Sequence, residues 1–230
     1  MMEAETAIVL LSAKVALAAI LLALPPAFAV AWLLARRRFK GKGFVQAVVT
    51  LPLVLPPVVT GYGLLLLFGT QGPLGRLFEA AFGLTFAFRW TGAALAAGVM
   101  AFPLLVRPIR LSLEAVDRGL EEAAETLGAS RIVVFLTVTL PLALPGVLAG
   151  AVLGFAKALG EFGATITFVS NIPGETQTLS LAIYALLQSP TGDTAALRLI
   201  VVSILLALAA VLLSEWVARR LTERGGDGRA

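Results

Sequence analysis

The most specifically spaced set of residues in this chain is Glu122-Ala123-Ala124, then three residues to Gly128, then nine more to Val138-Thr139-Leu140-Pro141. The chemistry open to such a set is recognition rather than bond-making. Glu122 can act as a charged anchor, Ala123 and Ala124 let another surface come close, and Gly128 can take the left-handed turn that bends a chain out of a helix. Covalent chemistry has few candidates elsewhere. The chain holds no His and no Cys, which removes imidazole bases, thiol nucleophiles, disulfides and the usual zinc ligands. No serine stands in a nucleophile-and-base constellation, so an enzyme is a poor reading. A GxxxxGK[ST] phosphate loop is missing too: the nearest glycine-rich stretch, Gly69 to Arg76 (GTQGPLGR), lacks the lysine.

The elements that must carry this set are legible around it. Leu113, Val116, Leu120, Ala123, Ala124 and Leu127 recur at helical spacing, with Glu114, Asp117, Arg118, Glu121, Glu122 and Glu125 on the other face. Asp117 is placed to cap the helix, Glu121 and Glu122 lie near its positive end, and Gly128 is placed to end it. Ser130 can cap a second helix leading to Pro141. By pattern alone, an amphipathic helix of this kind could equally lie on lipid headgroups.

Composition says what surrounds the loop. Hydrophobic residues make up 59% of the chain and charged ones 14%, a balance that suits a surface covered by lipid. Five stretches are long and apolar enough to cross about 30 Å of hydrocarbon: residues 7–35, 44–69, 90–111, 140–159 and 195–218. They leave one transmembrane domain, 1–230, with a cytoplasmic loop at 112–139 and an outer loop at 160–194. Basic residues collect on cytoplasmic sides. Arg36, Arg37, Arg38, Lys40 and Lys42 follow the first stretch, Arg107, Arg110, Arg118 and Arg131 surround the loop, and Arg219, Arg220, Arg224 and Arg229 end the chain. Glu161 to Thr194 contains no Lys or Arg. These placements put the N-terminus outside and the C-terminus in the cytoplasm, and assign the net charge of +4 to topology rather than to nucleic acid. With Glu3 and Glu5 but no basic residue ahead of it, the first stretch is expected to remain as a span rather than be cleaved. With the last span ending close to the end of the sequence, no appended regulatory domain is expected.

Prolines should kink these spans: Pro25 and Pro26, Pro52, Pro56 and Pro57, Pro103, and Pro141 and Pro145 at the start of the fourth. Residues 178–188 (TLSLAIYALLQ) read as a short helix at or dipping into the membrane, with a sixth tilted span as the alternative. Thr165, Thr167, Ser170 and Asn171 offer hydroxyl and amide groups near the outer end of the fourth span. They could line a route or a gate, or equally cap and turn the chain. Lys157 and Glu161 share a helical face and are expected to pair, while Lys14 and Arg198 are expected to snorkel toward water.

The loop pattern from Glu122 to Pro141 resembles the EAA loop of binding-protein-dependent ABC importer permeases. Nearly the whole chain resembles the molybdate branch of that family, most closely in Gly160 to Thr178 (GEFGATITFVSNIPGETQT), and also in Leu213 to Arg220 (LSEWVARR). The resemblance implies an all-α integral membrane protein of the type I importer permease fold, with about five kinked spans. It implies a coupling helix in which Glu122, Ala123, Ala124, Leu127, Gly128, Leu140 and Pro141 meet a separate ATPase subunit, which holds ATP and Mg while this chain binds no cofactor. A second copy of the chain, an external oxyanion-binding protein and a location in the bacterial or archaeal cytoplasmic (inner) membrane are also implied. Sulfate and thiosulfate permeases share the loop and are the nearest competing cargo class, and tungstate is not separable from molybdate. An ATP-independent channel would share the prolines and the amphipathic loop but has no use for an ATPase-docking helix.

Overall fold

The computed structural model describes residues 2–190 and 192–226. Arg229 lies outside the described residues, as do the side chains of Arg219, Arg220 and Arg224. In apolar surroundings only the segment itself can satisfy its backbone donors and acceptors, which favours helix throughout. The described elements are α1 (Met2–Arg36), α2 (Lys42–Val54), α3 (Pro57–Phe68), α4 (Pro73–Phe82), α5 (Trp90–Ala115), α6 (Arg118–Thr126), α7 (Arg131–Val134), a π-helical turn (Phe135–Thr139), α8 (Leu140–Leu159), α9 (Gly163–Val169), α10 (Leu179–Leu187) and α11 (Asp193–Gly226).

Among the described residues, four helical stretches are long and apolar enough to cross a membrane: Glu3–Arg36, Trp90–Ala115, Arg131–Leu159 and Asp193–Leu213. The α2 and α3 helices make a fifth crossing if taken together, but they are bent by 112°. The cause is Pro56-Pro57. Neither nitrogen can donate to a helical ladder, and a residue before proline is pushed out of helical space. Leu55 accordingly has φ −70 and ψ 145. Elsewhere prolines are absorbed without a break, Pro25 and Pro26 within α1 and Pro103 and Pro108 within α5. At Pro141 the helix widens instead. The π turn at 135–139 comes directly before it, so α7, the turn and α8 form one continuous stretch that begins at Arg131, nine residues ahead of the expected start at residue 140.

The buried share is 67% for α5 but 11% for the Asp193–Leu213 stretch of α11, which identifies α5 as the central helix. It packs on α1, α8 and α9 through small residues, including Ala93, Ala97, Ala101 and Gly98. Small side chains bring helix backbones close where lipid supplies no hydrophobic drive. Large apolar side chains instead face outward, among them Leu22, Leu66, Leu208 and Leu212. Between α8 and α11 lie α9, packed on α3 and α5, and α10, whose Leu179 and Ala182 pack with Leu199 of α11. At nine residues α10 is too short to span.

The start of α10 is tied down from a distance. Ser12 Oγ donates to the Ile8 carbonyl at 2.8 Å and accepts from the Leu179 amide at 2.7 Å, with Ser12 fully buried. Ser12→Ala would leave the Leu179 N–H buried without its partner, a loss of about 1–3 kcal/mol. The expected result is a lower melting temperature in detergent, and an unchanged one would show that water reaches this amide.

Candidate functional site

The turn into α6 begins where α5 ends. Val116 is buried and extended at φ −67 and ψ 122. Asp117 caps α6 as expected, its Oδ1 accepting from the Gly119 amide at 2.8 Å. Gly128 closes the helix in the left-handed region at φ +88. There the Ala129 amide donates to the Ala124 carbonyl at 3.1 Å and the Gly128 amide to that of Glu125 at 3.0 Å, the bonding of a left-handed helix terminus. Ser130 occupies the N-cap position of α7 but makes no side-chain cap bond. Its carbonyl takes the Val134 amide instead.

No residue of α6 is buried. Leu113 of the expected apolar stripe belongs to the buried end of α5, while Leu120 and Leu127 are 51% and 89% exposed. Glu122, Ala123 and Gly128 are exposed too, Ala124 is half-buried, and Pro141 is exposed beside half-buried Leu140. Leu120 and Leu127 of α6 and its end are thus uncovered within the chain, together with Ala123 and the Glu122 carboxylate. It is not Glu122 but Glu121, read from sequence as one of the outer polar set, that turns inward. Glu121 Oε1 accepts from Arg36 Nη2 at 2.8 Å and from the hydroxyl of buried Thr139. A charged cavity of about 480 Å³ opens beside this bridge, lined among others by Trp32, Arg37, Arg118, Glu122 and Arg131. The sequence signal for Glu121 was only its place one residue before the loop motif. Its partner Arg36 is 85 residues away.

The four polar candidates that follow α8 fall in different settings. Thr165 is packed in the interior at 2% exposure. Thr167 donates to the Gly163 carbonyl one turn back at 2.8 Å. Ser170 is exposed, holds φ +63 and ψ −170, and its carbonyl accepts from Thr176 Oγ1 at 3.0 Å. Asn171 Nδ2 reaches the Leu181 carbonyl at 3.5 Å, while its Oδ1 is buried without a partner.

The charged residues nearby are paired. Lys157 Nζ lies 2.6 Å from Glu161 Oε2, and Glu161 Oε1 also accepts from the Ala164 amide at 3.0 Å. Buried Glu161 thereby joins α8 to the first turn of α9. Lys14 sits over the Trp90 ring, 3.7 Å from its centroid, and Arg198 Nη2 bonds Glu5 Oε1 at 2.8 Å, so both find protein partners where snorkelling was expected. The glycine-rich turn near residue 72 folds back on itself: Arg76 donates through Nε and Nη2 to the Gln71 carbonyl.

A family model described as the binding-protein-dependent transport system inner membrane component matches residues 27–223. The chain is 57% identical over 224 residues to the molybdenum transport system permease protein ModB of Escherichia coli (strain K12), covering 97% of this chain and 98% of that protein. It is 55% identical to ModB of Haemophilus influenzae over the same shares. The sulfate transport system permease protein CysT of Salmonella typhimurium is 37% identical, over 83% of this chain and 70% of its own. Among solved structures, a bacterial ABC transporter for import of the acidic polysaccharide alginate superposes with a TM-score of 0.72 at 19% identity, covering 94% of this chain and 79% of that one.

Proposed function

This chain belongs to the family of binding-protein-dependent transport system inner membrane components, and from that premise we propose that it is the membrane-spanning subunit of an ATP-driven molybdate importer. The observation that carries this reading is the near-full-length identity to molybdenum transport permeases. Sulfate is the second cargo to consider, because a sulfate permease is also related, at lower identity and over less of the chain.

In this reading a separate ATPase, holding ATP and Mg, docks on the uncovered face of α6. Glu122 is the charged anchor, Ala123 and Ala124 set the distance of approach, and Leu127 fills an apolar pocket in the partner. Gly128 turns the chain back toward the membrane, and Leu140 and Pro141 receive the movement at the base of α8. Closing of the ATPase on ATP then moves the spans. Two copies of the chain enclose the oxyanion route on their two-fold axis, with the N-terminus outside and the C-terminus inside, and an external binding protein delivers the oxyanion. Charge supports that orientation, since Arg36, Arg118 and Arg131 gather at one end of the helices, around the ATPase-facing loop. The route holds oxyanion weakly in passing, and Lys157, already paired with Glu161, offers it no free charge. Selectivity then rests mainly with the delivery protein.

The test is ATP hydrolysis in liposomes containing this chain, its ATPase and the oxyanion-binding protein. Stimulation by molybdate-loaded but not sulfate-loaded binding protein is the expected result. Stimulation by sulfate alone would reassign the cargo, and none from a fully assembled complex would overturn the importer reading.

A further inference from the structure

We propose that Glu121 is a positioning residue that carries movement of α6 to the spanning helices. The proposal rests on the importer reading above and adds to it the path by which force leaves the docking helix. A helix with no buried residue has little apolar contact through which to push or pull its neighbours. Beyond its two covalent ends and its close approach to α7 and the π turn, α6 is tied to other elements, among the described residues, through Glu121, whose Oε1 receives two hydrogen bonds from two of them.

The two donors sit where movement would matter. Arg36 is the last residue of α1, the helix packed along central α5, and its side chain is only 12% exposed. Thr139 is buried and ends the π turn, where the helical ladder already departs from α-geometry ahead of Pro141. A widened turn followed by proline is a soft point in an otherwise stiff helix. Glu121 therefore grips the Arg131–Leu159 stretch at its π turn and braces it against the end of α1. Charge-assisted bonds to a shared oxygen are short and directional, so tilting α6 must move both partners or break the bridge. Glu122, one residue on, is exposed and left for the docking partner.

The experiment uses the complete complex in proteoliposomes and reads molybdate taken up per ATP hydrolysed, with co-purification of the ATPase as the check on assembly. Glu121→Ala should keep the ATPase bound and lower that ratio roughly 3- to 30-fold, the range seen when coupling networks are cut. Thr139→Val, which removes one arm of the bridge at constant shape, should lower it less. Exchanging the charges in Arg36→Glu/Glu121→Arg should recover part of what each single change loses. A purely structural role would reduce the amount of complex while leaving the ratio untouched. That result, or an unchanged ratio in Glu121→Ala, overturns the proposal. If Glu121→Ala does not assemble, Thr139→Val decides alone, an unchanged ratio counting against the bridge. Absence of uptake by the unmodified complex would instead be a failure of the importer reading.

Discussion

Gly128→Trp is expected to abolish molybdate uptake while leaving a folded, membrane-inserted chain. A Cβ at Gly128 meets nothing within 4 Å, so a side chain there starts out into open space. The backbone at φ +88 makes any L-residue strained, at a cost of about 1–2 kcal/mol, which a stable helical bundle can absorb. What the indole does disturb is the uncovered face beside Leu127, where the ATPase approaches in the proposed complex. Loss of a central interface contact costs about 2 kcal/mol or more, so uptake should fall at least about 30-fold. Gly128→Ala separates the two causes, since it carries the strain without the bulk and should keep much of the activity. Uptake by the Trp variant at the unmodified rate would remove Gly128 from the docking surface. Equal loss in both variants would assign its importance to the turn alone.

Gly146→Leu, by contrast, should prevent folding. A Cβ there would stand 2.4 Å from Ser112 Cβ and 2.6 Å from the Pro108 carbonyl oxygen of α5. One of these neighbours is backbone, so relief requires α5 and α8 to move apart along a contact that Gly150 continues, its Cβ position 3.0 Å from the Leu105 carbonyl. Overpacking a well-filled interface costs about 1–3 kcal/mol for small additions, and an isobutyl group in this space exceeds that range. The expected finding is little or no monodisperse protein by size-exclusion chromatography in mild detergent. Gly63→Ala is the control, because its Cβ meets nothing within 4 Å and it lies within a helix, where alanine is favoured over glycine. It should be neutral or slightly stabilising. A Gly146→Leu variant as stable as this control would mean that α5 and α8 do not pack as closely as their backbones indicate.

The helical class and most of the long apolar elements were legible because the hydrophobic runs are longer than any soluble core helix needs. Prolines were legible as residues but not in their effects. Pro25 and Pro26 lie inside an uninterrupted α1, whereas Pro56 and Pro57 turn the chain by 112°. The difference is that two adjacent ring nitrogens at a helix start, preceded by an extended Leu55, leave no continuous ladder to resume. The loop helix was legible through Asp117 and Gly128, whose side-chain chemistry acts within a few residues along the chain.

Local chemistry and periodicity, then, are what the sequence by itself determined: an all-helical membrane chain, a capped loop helix ended by glycine, and a Lys157–Glu161 pair one helical turn apart. Each depends on interactions spanning at most about five residues, so position in the chain was sufficient. Tertiary structure alone decided that Glu121 rather than its neighbour turns inward to Arg36 and Thr139, that Ser12 holds the start of α10, and that Thr165 is buried while Ser170 is exposed. Those pairings join residues up to 167 positions apart. Amphipathic spacing says which residues share a face, but which face is covered depends on the neighbouring helices, and a face left for another subunit has the same pattern as one buried within its own chain.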